Sequence, residues 1–310
     1  MKTLDVTVVG EIYLDHVFSG FDRWPRPGEE VLTDNYTKEL GGGAATTACG
    51  LARIGRSVTL MGLIGTSDTQ WIYNRLNTFG VLHDSLRAMD GATGVTVSVS
   101  TLQDRSFFTH TGLNRDLGAH LMSDQAVANL TRARHVHFSM PLSREVAEHV
   151  LPRLKSANCT TSLDVGYQPD WLGDPVNAAT LRDIDHFLPN EKEAELLCGQ
   201  ANEDGYFSRT KALGFTAATL KLGARGAMTE SAGQRYHAHP PVVKAIDTTG
   251  AGDAFNVGFI DGLLDGSSPL VRLQRACVSG ALSTQFAGAL NGLPPVSMYR
   301  SFYDQTYERA

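Results

Sequence analysis

The stretch D-T-T-G-A-G-D-A-F-N-V-G, Asp247 to Gly258, sets three tiny residues and a carboxylate ahead of an apolar run. Read as a helix beginning near Gly250, it leaves the first backbone N–H groups without intrahelical acceptors. Aligned peptide dipoles add partial positive charge at the same end. Glycine lets the backbone approach a ligand closely. Gly250, Ala251 and Gly252 therefore suit an anion, above all a phosphate that gains negative charge during a reaction. Asp253 falls in the first turn beside it, where a carboxylate can take a proton from an attacking hydroxyl. The simpler reading of these four residues is a helix start with a stabilising acidic residue.

Outward from this stretch, hydrophobic periodicity alternates between strand and helix. Thr3–Val9 reads as a first strand, and GGGAATTACGLARIG (41–55) opens on small residues and ends as a helix. SVTLMGLIG reads as a buried strand, and WIYNRLNTFG as an amphipathic helix closing at Gly80. Residues 94–111 alternate around a Gln103-Asp104 turn and read as a hairpin. HVHFSM, TTSLDVG, HFLPN and TAATLKLG then read as strands, with SREVAEHVLPRLKSAN and EKEAELLCG as helices between them. Two short strands follow within 226–243, then helices over Gly250–Leu264 and Leu270–Ala287 and a last one after Pro295. This alternation argues an α/β fold with a mostly parallel central sheet flanked by helices. No linker divides the chain, so a single domain over 1–310 is expected, with a small β-sheet lid from about 12–40 and 92–111.

Composition narrows the function classes. The 310 residues are 42% hydrophobic and 19% charged, with a net charge of −6. That balance disfavours a nucleic-acid or acidic-membrane surface but leaves small anions open. Cys49, Cys159, Cys198 and Cys277 are scattered, with no C-x-x-C pair, and read as reduced thiols of a cytoplasmic protein. The opening MKTLDVTVVGEIYLD enters a strand directly rather than an apolar signal core. No run approaches the roughly 18 apolar residues of a membrane span. His135/His137 and His237/His239 alternate, but without a third ligand nearby they read as solvent or lid positions rather than metal sites.

Four segments, in order, resemble the ribokinase-like (PfkB) carbohydrate kinases. GGGAATTACGLARIG is similar to that family's N-terminal glycine signature and DTTGAGDAF to its C-terminal one. NEKEAELL (Asn190–Leu197) resembles its N-x-x-E motif, and KLGARGA (Lys221–Ala227) its nucleotide-site strand and turn. The resemblance implies ATP- and Mg2+-dependent phosphorylation of an alcohol, with Asp253 as general base and Gly250, Ala251, Gly252 and Asp253 as an anion hole. It implies ATP contacts at Asn190, Lys221, Gly223 and Gly226, and magnesium held through water by Glu193. Asp15, Gly41 and Gly42 carry over to the acceptor side. Asp247 and Thr249 occupy the segment where the family often binds a potassium-like ion, so K+ activation is an expectation. Lid strands that pair across a homodimer are another.

Taken alone, several of these residues have plainer roles. Asp15 would cap a turn. Asn190 and Glu193 have the spacing of a capping arrangement. Lys221, inside an apolar strand, needs a partner because a buried ammonium is costly; a phosphate would serve, and so would snorkelling to the strand end. Arg105, at the hairpin tip, reaches the acceptor or water. Of Phe107 and Phe108 only one is expected to face inward, against a sugar, a base or the lid's own core.

Two departures bear on the acceptor. Thr46 stands where the family signature usually has asparagine, and offers one hydroxyl instead of an amide. Asp164 is followed by Gly166 and Gln168 where sugar-acid and fructose kinases often have D-x-N-x-R. An arginine able to read a carboxylate or phosphate is missing, which favours a neutral sugar or a nucleoside. A nucleoside kinase of the same fold is the first alternative and a non-catalytic nucleotide- or sugar-binding regulatory protein the second. A dinucleotide-dependent oxidoreductase fits poorly, since Gly41–Gly43 is not G-x-G-x-x-G.

Overall fold

Val6, Val8 and Val9 of the first strand are all fully buried, as a strand covered on both faces requires. In the computed structural model, which describes residues 2–102, 104–199, 202–215 and 217–308, that strand is central. The strands are β1 (Leu4–Gly10), β2 (Tyr13–Phe21), β3 (Asn35–Gly41), β4 (Val58–Gly65), β5 (Leu86–Met89), β6 (Gly94–Thr101) and β7 (Arg105–His110). Then come β8 (Ala133–Ser139), β9 (Thr160–Leu163), β10 (His186–Phe187), β11 (Ala217–Lys221), β12 (Ala227–Ser231) and β13 (Gln234–Ala238). Six form a sheet in the order β10-β9-β8-β1-β4-β5, and each neighbouring pair is parallel.

The pleat of β1 assigns its side chains to two cores. Val9 joins Met61, Leu63, Val136 and Phe138 under the Arg144–Ser156 helix, which contributes Val146, Val150 and Leu154. Val6 and Val8 join Leu60 on the opposite face, under Ala44, Ala45 and Ala48 of the Gly43–Arg53 helix. Val257 and Ile260 of the Ala251–Leu264 helix pack into that second core as well. Short alanine side chains let these helices lie close to the sheet and to each other.

A second sheet, β3-β2-β6-β7, is built from the segments expected to form the lid. Its outer pairs are antiparallel, while β2 and β6 run parallel. Asp104 and β7 continue the hairpin, whereas Gln103, half of the expected turn, lies outside the described residues. Phe107 and Phe108 are adjacent on β7 and both exposed, and the ring of Trp24 stands 6.2 Å from that of Phe108.

Two features depart from what the sequence leads one to expect. TAATLKLG does not extend the parallel sheet: β11 pairs antiparallel with β12, which pairs with β13. A single parallel bridge, Asn190 to Lys221, joins it to the main sheet's end. Nor do His135 and His137 face solvent. Both are fully buried on one face of β8, opposite Thr160 and Ser162 of β9. Ser162 Oγ is 2.7 Å from His135 Nε2 and 2.7 Å from His137 Nδ1, and Thr160 Oγ1 is 2.8 Å from His135 Nδ1. Burial drives both rings toward the neutral form, His137 to about 4. His237 and His239 are exposed as expected, with His237 Nε2 2.9 Å from the Arg225 carbonyl.

Candidate active site

The site gathers at the carboxyl ends of parallel strands, where open α/β sheets leave a crevice. β1 leads to Glu11, β8 ends at Ser139, β9 is followed by Asp164, and β10 by Asn190. Into this rim points the N-terminus of the Ala251–Leu264 helix. Gly250 is its N-cap, with φ of +75° in the left-handed region, and no side chain caps the end. A Cβ at Gly250 would stand 2.6 Å from that of Ala289. The sequence thus leaves the helix's leading N–H groups to whatever enters the adjoining cavity.

That cavity measures about 670 Å³. Gly250, Ala251, Gly252 and Asp253 line it on one side and Asn190, Glu193 and Lys221 on another. Gly223 and Gly226 contribute the turn after β11, and Pro240, Val242 and Cys277 an apolar end. Gly226 has φ of +93°, and a Cβ there would run into the Ala238 carbonyl. This turn is therefore restricted to glycine by both dihedral and space.

Lys221 is buried, and Asp164 rather than solvent meets its charge. Its Nζ donates to Asp164 Oδ2 at 2.6 Å, and Asn256 Nδ2 donates to the same oxygen at 2.8 Å. The Gly166 N–H donates to Asp164 Oδ1. The lysine and these donors hold Asp164 below the usual carboxylate range despite its burial. Lys221 nevertheless stays at the N-terminus of the Ala251–Leu264 helix, since a Cβ on Gly252 would lie 3.6 Å from Nζ. Asn256 is the member the sequence reading overlooked, although it stands three residues after Asp253, on the same helical face.

Asn190 and Glu193 do form a capping box. Asn190 Oδ1 accepts from the Glu193 N–H, and Glu193 Oε2 from the Asn190 N–H. Asn190 Nδ2 also donates to Glu193 Oε1 at 2.6 Å. Burial, then the Asp164 charge, push Glu193 upward against the pull of Lys221. Each carboxylate oxygen keeps a second lone pair, so the box leaves Glu193 able to accept from water in the cavity.

Asp253 occupies the junction between this cavity and the glycine run at 41–43. A Cβ on Gly43 would stand 2.6 Å from Asp253 Oδ1 and 2.6 Å from Ser139 Oγ. Burial first, then the charges of Asp164 and Glu193, raise the Asp253 carboxyl to about 7, opposed by Lys221. Such a group holds or releases a proton near neutrality. Ser139 is a second residue not singled out from sequence; its position at the carboxyl end of a parallel strand was the available signal.

The same glycine run receives a second carboxylate. A Cβ on Gly41 would fall on the Asp15 carboxyl, and one on Gly42 against the Glu11 carbonyl. Asp15 lies on β2 opposite Glu39, and burial and that charge raise it to about 6. Asp15 and Asp253 thus approach residues only two positions apart, one from the smaller sheet and one from the first turn of the Ala251–Leu264 helix. Thr46 is buried, and its hydroxyl donates back to the Gly42 carbonyl at 3.2 Å.

Arg105 reaches across from β7 to the loop before the helix, its Nη1 3.5 Å from Thr249 Oγ1. In that loop Asp247 Oδ1 accepts from the Thr249 N–H and hydroxyl, and Oδ2 from the Gly288 N–H. These donors lower the Asp247 carboxyl. Among the described residues no group of three His, Cys, Asp or Glu side chains is arranged to hold a metal directly. No helix among them is long and apolar enough to cross a membrane.

Comparison with known proteins gives concordant results. The model of the pfkB family carbohydrate kinases matches residues 3–295. A 2-dehydro-3-deoxygluconokinase of Bacillus subtilis is 30% identical over 288 residues, covering 88% of each chain. A ribokinase of Haemophilus influenzae is 28% identical over 309 residues, covering 94% of this chain and 95% of that one. Among solved structures, Arabidopsis thaliana ribokinase complexed with ribose and ATP superposes with a TM-score of 0.88 at 23% identity, over 98% of this chain and 99% of that one.

Proposed function

This chain belongs to the pfkB family of carbohydrate kinases, and we propose that it transfers the γ-phosphate of ATP to a hydroxymethyl group of a neutral sugar. The observation that carries this reading is Asp253. Its carboxyl, raised to about 7, lies at an uncapped helix N-terminus and against Gly43. As the acceptor hydroxyl attacks, Asp253 accepts its proton. The N–H groups of the Gly250–Asp253 turn and the Lys221 ammonium meet the charge spreading over the transferring phosphoryl group. Asp15 holds the acceptor by its other hydroxyls, and Gly41 and Gly42 let the sugar approach the backbone.

The glycine turn at 223–226 and the apolar cavity end around Val242 suit the nucleotide, and the cavity is large enough for one. Glu193 and Asn190 fit a magnesium ion held through water, because their capping box leaves carboxylate lone pairs on the cavity side. The ion supplies charge neutralisation on the phosphates. Asp247 and Thr249 are the monovalent-cation candidates, in a loop where the Asp247 carboxylate accepts three hydrogen bonds.

The sheet β3-β2-β6-β7 acts as the lid of a single-domain enzyme, with Arg105 latching it to Thr249 and excluding water from the transfer. Its edge strand β7 pairs with a second copy in a homodimer, which covers Phe107 and Phe108. Light scattering that finds only monomer at working concentration overturns that pairing.

The acceptor is the finest point. A relative of 30% identity is named for a sugar acid, yet this chain has Gly166 and Gln168 where the carboxylate-reading motif would put asparagine and arginine. The test is ATP-to-ADP turnover against pentoses, hexoses, sugar acids and nucleosides. A neutral sugar is expected to support the highest kcat/KM. A sugar acid or nucleoside that exceeds every neutral sugar overturns the assignment.

A further inference from the structure

We propose that Lys2 and Cys159 form a covalent nitrogen–oxygen–sulfur bridge, a redox-controlled staple far from the cavity. Lys2 Nζ lies 2.7 Å from Cys159 Sγ and 3.0 Å from the Thr131 carbonyl. The sulfur is also 3.4 Å from the Ala133 carbonyl. N–H···O bonds in proteins centre on about 2.9–3.0 Å, and a sulfur acceptor, being larger than oxygen, stands further off. At 2.7 Å the nitrogen and sulfur are therefore inside hydrogen-bond contact. They are too far apart for a direct bond, since even two sulfur atoms bond at about 2.04 Å. One light atom, bonded to both and bent at its centre, accounts for the separation.

The surroundings select oxygen. Cys159 is buried and has no disulfide, while Lys2 is half-exposed and opens the pair to small oxidants. A peroxide first transfers one oxygen to the thiol: an S–O bond forms, the O–O bond breaks, and water leaves a sulfenic acid. A second peroxide then oxidises the sulfenic acid and the lysine amine together. An N–O bond forms, one amine hydrogen and the sulfenic hydrogen are lost, and two waters leave. The sum is amine plus thiol plus two peroxides giving the bridge and three waters; one dioxygen in their place gives the bridge and one water. Nitrogen and sulfur each lose two electrons.

The residues joined are 157 positions apart and lie just before β1 and just before β9. Closing so long a loop restricts the unfolded chain, so the oxidised protein is the more stable form. The inference is independent of which sugar the cavity takes.

The test treats full-length protein with hydrogen peroxide, digests it without reductant and sequences the peptides by mass spectrometry. The expected product joins Lys2 to Cys159, with the summed peptide mass raised by one oxygen and lowered by two hydrogens. A thiol reductant releases it, and Lys2→Arg and Cys159→Ser lack it. Reduction lowers the melting temperature of the oxidised wild type but not of peroxide-treated Lys2→Arg, which keeps the test valid if Cys159→Ser folds poorly. Cys159 recovered as free thiol, sulfinic or sulfonic acid beside unmodified Lys2 overturns the bridge. A junction whose mass fits carbon instead of oxygen also overturns it, and equal melting temperatures for the oxidised and reduced wild type overturn the stabilising role.

Discussion

At Asp253 the carboxyl proposed to accept the proton also carries a cost to the fold. Its folded value is about 7, whereas a free aspartate titrates at about 3.9. Between those values the folded chain keeps a proton that the unfolded chain has released. Stability therefore falls as pH rises through this window, and the cost is complete above about 7. Asp253→Asn removes the cost. Its melting temperature should exceed wild type by roughly 2–4 °C at pH 8 and match it at pH 4, as thermal denaturation at the two pH values would show. The same titration sets activity: kcat/KM of the wild type should fall as pH drops below about 7, because the base must be unprotonated. A flat profile from pH 5 to 8 would remove Asp253 from that role. The residue was legible because an acidic side chain in the first turn of a glycine-opened helix is a local pattern. Its raised proton affinity was not, since Asp164 and Glu193 reach it only through the fold.

Among the elements, the glycine run between β3 and the Gly43–Arg53 helix decides how closely two carboxylates approach. Gly43→Ala sets a methyl 2.6 Å from both Asp253 Oδ1 and Ser139 Oγ. Turnover should drop by at least about 10-fold, with the fold retained by circular dichroism, since a misplacement of about 1 Å can cost far more. Lys221 makes a contrasting case, in which stability is at stake too. Lys221→Met strands Asp164 with only amide donors, and breaking such a buried pair costs about 3–5 kcal/mol. Denaturant unfolding should show that loss, and Asp164→Asn added to Lys221→Met should restore part of it. The triad itself was beyond a sequence reading, because Asp164 lies 57 residues from Lys221 and 92 from Asn256. The antiparallel turn of β11 was equally hidden: an apolar run has the same period whichever way its neighbour runs. His135 and His137 alternate like a solvated face, and only the register with Thr160 and Ser162 reveals the hydroxyls that meet both nitrogens of His135 and Nδ1 of His137.

For the whole molecule, strand–helix alternation and the ordered motifs made the parallel core and the smaller sheet readable before any coordinates. What stayed unreadable was how the two meet. Gly41 stands against Asp15 and Gly43 against Asp253, so the short link between sheet and helix brings both carboxylates to one glycine run. Arg105, a hairpin-tip residue with two open readings, spans from the smaller sheet to Thr249. If that contact closes the lid, Arg105→Ala should raise acceptor-independent ATP hydrolysis while leaving the melting temperature unchanged, measured by ADP release without sugar. The measurement that bears most directly on the account is acceptor-dependent conversion of ATP to ADP, with magnesium and potassium, for wild type beside Asp253→Asn. Turnover that requires a neutral sugar and falls by at least about 100-fold in the variant, with ATP binding intact, is the predicted result. Full activity in Asp253→Asn would contradict it.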